Sequence, residues 1–119
     1  MHVADSLKSD VEFAGLNLQC GLKGLDVILV TLQRRSRSDR PKVALSTTRS
    51  RNEFVATVVQ AGEALLLPDA AADLAAHDWQ NSPQLSVEIE ARPTPIRGVI
   101  PIIGLAAAMK TLIANCPTR

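Results

Sequence analysis

The side chains best equipped for chemistry in this 119-residue chain are its arginines. A run reading RRSRSDRPK spans 34–42, and seven of the thirteen basic residues fall between positions 34 and 51. They are Arg34, Arg35, Arg37, Arg40, Lys42, Arg49 and Arg51, with Asp39 the one acid among them. Guanidinium groups bind phosphate and carboxylate through paired, charge-assisted hydrogen bonds. A loop this basic would attract nucleic acid or anionic lipid head groups, helped by counterion release. No aromatic residue interleaves, so the stacking platform of single-strand binders has no counterpart here. A charged loop is also an ordinary way to keep a turn in water. The seven residues are therefore candidates for an anion site.

The remaining reactive residues form no motif. Cys20 and Cys116 stand far apart, so neither a CxxC redox motif nor a local zinc site exists. Three readings apply to them, and the first, a Cys20–Cys116 disulfide, is the expectation. A disulfide would clamp the end of the chain to an early strand; two buried thiols would be unrelated; a catalytic cysteine would need His2 or His77 as its base. His77 stands beside Asp78, but adjacent residues on a helix point apart. Glu88 and Glu90 share a strand face and could form a carboxylate pair, though exposed strand faces carry such pairs routinely. Trp79 is a ligand platform or, more commonly, core. The serines lie outside any GxSxG context, and there is no glycine-rich phosphate loop. The expectation is a protein without catalytic residues, cofactor or metal.

Composition narrows the class. Hydrophobic residues make up 46% and charged residues 21%, with a net charge of +1. This is ordinary for a globular domain, and no global field selects an acidic partner. No apolar run reaches the roughly 18 residues of a membrane-spanning helix. Residues 1–10 are polar, expected to fray, and lack the apolar stretch of a signal peptide. An exported form would therefore begin after its cleavage site. Residues 11–119 read as one globular domain.

The elements that must position the arginines follow from periodicity. Val11, Phe13, Leu16, Leu18 and Cys20 suggest a strand broken near Gly15, and LDVILVTL over 25–32 a buried central strand. KVALS over 42–46 is the next strand, with Val43 and Leu45 inward. These last two are expected to form a hairpin with the arginine run at its tip. RNEFVATVVQ reads as one strand over 51–60, followed by a turn into 64–67. An alanine-rich helix near 69–78 opens on Asp69 as N-cap. Leu85, Val87, Ile89 and Ala91 alternate cleanly with polar residues, and 96–100 forms the last strand. A terminal helix over 104–115 buries Leu105, Ala108, Met109, Leu112, Ile113 and Cys116, leaving Lys110 in water. The sum is an α+β fold: an antiparallel sheet of about five or six strands with both helices packed on it. The alternative is a β-sandwich with a helical cap.

An early strand ending in cysteine, an Ala/Leu-rich helix before Trp79, an alternating strand, and then Gly104, Leu105, Ala108, Leu112 and Cys116 make up a recognisable layout. It resembles small exported bacterial proteins of the invasion-associated locus B type and the periplasmic accessory proteins of type VI secretion. In those families a GL…A…L…C helix closes the domain. The resemblance implies a periplasmic or secreted, non-enzymatic interaction module working through another protein, and transfers no functional residue. Polyanion or membrane-surface binding through 34–42 is the competing expectation, as is a cytoplasmic location with free thiols.

Overall fold

The computed structural model describes residues 2–21, 24–59 and 62–116, apart from the side chains of His2, Val3, Ala106, Ile113 and Asn115. Among the described residues the strands are β1 (His2–Val3), β2 (Phe13–Gly21), β3 (Gly24–Thr31), β4 (Lys42–Ser46), β5 (Arg51–Val55), β6 (Thr57–Val59), β7 (Ala64–Leu66), β8 (Gln84–Ile89) and β9 (Ile96–Pro101). Helix α1 (Asp69–Ala76) and a 3₁₀ turn (Asp78–Asn81) separate β7 from β8, and α2 (Leu105–Asn115) follows β9.

The class is α+β, but the strands form two antiparallel sheets where one was expected. One sheet runs β1-β2-β3-β7-β6 and the other β5-β4-β8-β9. Alternation along each strand explains how they meet. Leu16, Val27, Leu29, Val58 and Leu65 point inward from the first sheet, and Val43, Leu45, Leu85, Val87, Ile89 and Ile100 from the second. All belong to one core cluster, so each sheet buries the apolar face of the other. This is the arrangement of the alternative reading, a sandwich with helices closing it. Ala71, Ala75, Trp79, Leu105 and Met109 join the same cluster.

The stretch 51–60 is not one strand. At Ala56, which is fully buried, the chain leaves the second sheet as β5 and enters the first as β6. A small side chain at this corner lets both sheets close over it. On the opposite flank Phe13 lies on Gly98 of β9, where any added Cβ would collide with the ring. The N-terminal segment expected to fray is hydrogen-bonded there. Asp5 N–H donates to Val99 O (2.8 Å), Asp10 N–H donates to Arg97 O (2.8 Å), and the Ser9 hydroxyl accepts from Val99 N–H (2.9 Å). These bonds cover the outer edge of β9.

The expected hairpin of 25–32 with 42–46 does not form. β3 pairs with β2 and β7, whereas β4 pairs with β5 and β8. β2 claims one edge of β3 along its length, and β7 takes the other. The ten residues 32–41 then cross between sheets. Val11, expected in β2, is 86% exposed and precedes the strand. Asp69 is the first helical residue rather than the cap, which is Pro68 with no side-chain bond.

Helix α2 packs through fewer residues than its stripe suggested. Leu105 and Met109 are buried, Leu112 is half-buried, and Ala108 is exposed. The first two turns lie against the 3₁₀ turn and core, while the last turn reaches the end of β2. There Cys20 and Cys116 are disulfide-bonded, with Cα atoms 5.3 Å apart. The readings of unrelated thiols and of a catalytic cysteine are thereby corrected, because bonded sulfurs provide no thiolate. The expected burial of Ile113 lies outside the described side chains.

Candidate functional site

The run after Thr31 cannot continue a buried strand, because four arginines in seven residues would lose their hydration. It stays on the surface and is tacked down at several points. Leu32 N–H donates to Glu12 O (2.8 Å), Arg35 N–H to Gly62 O (2.8 Å) and Asp39 N–H to Ser36 O (3.0 Å). Pro41 O accepts from Ala56 N–H at the sheet corner (2.9 Å). Gly62 is needed for one of these contacts. Its φ is +92°, and a Cβ there would collide with the carbonyl oxygen of Arg35.

The loop forms one wall of an open cavity of about 610 Å³. The opposite wall is the segment after β8, and the lining includes Arg34, Arg35, Arg40 and Arg92 with Asp39 and Glu90. Four arginines and two carboxylate residues thus line the same cavity. One of those carboxylates is engaged, since Glu90 Oε1 accepts from Lys42 N–H (3.2 Å). Arg35 anchors the site by donating from Nη2 to Glu90 O at 2.8 Å and to Gln33 Oε1 at 3.3 Å. Among the described residues its buried Nε has no partner. Arg40 Nη1 donates to the carbonyls of Arg37 and Asp39, both at 2.8 Å, which orients the guanidinium. Arg34 pairs with Glu63 at 2.9 Å, but both side chains are more than half exposed, so the pair contributes under about 1 kcal/mol.

Chemically, this arrangement can take an oxyanion. Planar, pre-oriented guanidiniums at one concave surface match phosphate, sulfate or carboxylate geometry.

The seven basic candidates separate into three places. Arg34, Arg35 and Arg40 line the cavity, whereas Arg37 is exposed beside it. Lys42 and Arg51 lie on the outer face of the second sheet. Arg49 sits in the 47–50 turn at the far end of β4, on the order of 15 Å away along the strand. Arg92 was not among the candidates. It joins the site because β8 pairs with β4, which sets the end of one strand beside the start of the other. A single arginine in an Arg-Pro-Thr-Pro turn carries no local sign of that neighbourhood.

The other reactive residues are occupied. His77 Nδ1 lies 2.9 Å from Asp73 O. Glu88 Oε2 accepts from Arg97 Nε at 3.1 Å, so Glu88 and Glu90 are engaged by different partners. Trp79 is 2% exposed and belongs to the core. Among the described residues no group of His, Cys, Asp and Glu could hold a metal, and no helix is long and apolar enough to cross a membrane.

Comparisons with protein-family models, with curated proteins and with solved structures found no match to this chain.

Proposed function

We propose that this chain is a non-enzymatic binding module that takes the anionic groups of a polyanion in the arginine cavity. The observation that carries this reading is the convergence of Arg34, Arg35, Arg40 and Arg92 from two separate segments onto one concave surface. A loop that merely stayed solvated would have no reason to face a fourth arginine from across the sheet. The Cys20–Cys116 disulfide is compatible with an oxidising compartment. On this reading the module works there, as an exported accessory or interaction protein of the envelope or secretion type. An acidic segment of a partner protein would offer the same anionic groups.

Retention on immobilised heparin tests the proposal. The wild type should bind at about 50 mM salt and elute as salt rises, because contacts of this kind release counterions. Replacing Arg34, Arg40 and Arg92 together by Gln should abolish retention, and Arg49→Gln should leave it nearly unchanged. With duplex DNA as the polyanion, each phosphate contact removed should flatten the log–log salt dependence by about 0.9. Failure of the wild type to bind heparin or DNA at low salt would refute the reading.

A further inference from the structure

The outer edge of β5 is open, and its pattern of backbone groups can be worked out from the register. In an antiparallel pair, hydrogen-bonded and non-hydrogen-bonded residues alternate. Ala56 N–H donates to Pro41 O and Thr47 N–H donates to Ser50 O. With the register Val43↔Phe54 and Leu45↔Asn52, these bonds make Asn52 and Phe54 the residues of β5 that bond to β4. Glu90 N–H donates to Lys42 O, so the alternate residues of β4 serve β8. The N–H and C=O groups of Arg51, Glu53 and Val55 therefore point away from the sheet. Among the described residues no backbone or side chain bonds to them. The same three side chains stand on the outer face and are all exposed. The other outer edge of this sheet, β9, is covered by residues 5–10.

We infer that β5 pairs with β5 of a second copy of this chain, antiparallel about a two-fold axis at Asn52. Charge selects both the occupant and the register. Only odd-numbered residues offer backbone groups, so few registers are open. Centring on Arg51 or on Glu53 would set like charges opposite each other. Centring on Phe54 would face Glu53 with Val55 and run past the corner at Ala56. Centring on Asn52 sets Arg51 opposite Glu53 of the other copy, twice by symmetry. The Arg51–Glu53 pair now made along the strand at 3.2 Å would be exchanged for two cross-strand pairs. Four backbone hydrogen bonds would form, joining two four-stranded sheets into one. Charged residues on an edge usually prevent pairing. Here their alternating sign makes the edge complementary to itself, as a two-fold interface requires.

The dimer has a consequence for the basic residues. It places Arg49 of one copy opposite Val55 of the other, and Val55 is the cross-strand neighbour of Lys42. The two basic clusters that lie at opposite ends of β4 in one molecule would then adjoin across the interface. The inference rests on the sheet and does not depend on anion binding.

An edge-to-edge contact is small, and such interfaces are weak. Sedimentation equilibrium should therefore extend to protein concentrations on the order of 1 mM. The expected result is reversible dimerisation, with amide chemical shifts of Arg51, Glu53 and Val55 moving as concentration rises. Arg51→Glu alone and Glu53→Arg alone should each weaken the dimer by about tenfold or more. The double exchange Arg51→Glu with Glu53→Arg should restore it, because the pairing is inverted but kept. Thermal melts of all three variants check that the fold survives. A monomer at every concentration would overturn the inference. So would a dimer indifferent to the single reversals, or one that the double exchange fails to recover.

Discussion

The two ends of the sandwich are built by different physics. At one end α1, the 3₁₀ turn and α2 close the core with Ala71, Ala75, Trp79, Leu105 and Met109, and a disulfide ties α2 to β2. At the other end the strands run out into arginine, serine and proline, and the chain is held by backbone hydrogen bonds to Gly62, Glu12 and Ala56. The first end is apolar, so its contacts carry much of the stability. The second keeps its charges hydrated around an open cavity, so its contacts set shape and contribute little to stability. A substitution should therefore unfold the protein at the helical end and change binding at the arginine end.

Removing the disulfide should produce the largest effect. Replacing Cys20 and Cys116 together by Ser opens a loop of sequence separation 96. In the chain-entropy model this lowers unfolding free energy by about 4–5 kcal/mol, measurable by urea titration. Heparin retention of the folded fraction should be unaffected, which separates the two ends. Within α2, Leu105→Ala should cost about 2–5 kcal/mol through lost burial and a residual cavity. Leu112→Ala should cost clearly less, because Leu112 is only half-buried. Lys110→Ala should change stability by under about 0.5 kcal/mol in the same titration. Equal shifts for the three would mean that α2 does not close the core.

Gly62→Ala probes the arginine end through its backbone. The positive φ and the Arg35 carbonyl both oppose a Cβ, so a loss of about 1–3 kcal/mol is expected. Unlike the helical substitutions, it should also reduce polyanion retention, since Arg34 and Arg35 must shift. The smallest effect on stability belongs to the triple replacement of Arg34, Arg40 and Arg92 by Gln. Melting curves should stay within about 0.5 kcal/mol of the wild type while binding is lost. A large destabilisation here would mean that these arginines support the fold, and the contrast between the ends would fail.

The elements were more legible than their assembly. Leu85, Val87 and Ile89 alternate along β8 as expected, although the strand ends at Ile89 and leaves Ala91 outside it. KVALS coincides with β4. The break near Gly15 appears as a register shift between Phe13 and Gly15 in the β2–β3 pair. The stretch 51–60 misled because alternation continues through Ala56 without a glycine or proline to mark the bend. Side-chain period reports which face of a strand is apolar, not which sheet the strand belongs to. The arginine site was half legible for the same reason. Its loop is a contiguous run of charge, whereas Arg92 comes from a turn about fifty residues later and is brought there only by the pairing of β8 with β4.

By itself, then, the sequence determined where most strands and helices lie, which of their faces are apolar, and that the arginine run stays at the surface. Those properties follow from local periodicity and from the cost of burying charge, which act within a few residues. The tertiary structure alone decided that the strands divide between two sheets and that four arginines share a cavity. Each of these depends on strand pairing between distant segments. Many such pairings satisfy the same alternation, and only packing both apolar faces into one core selects among them.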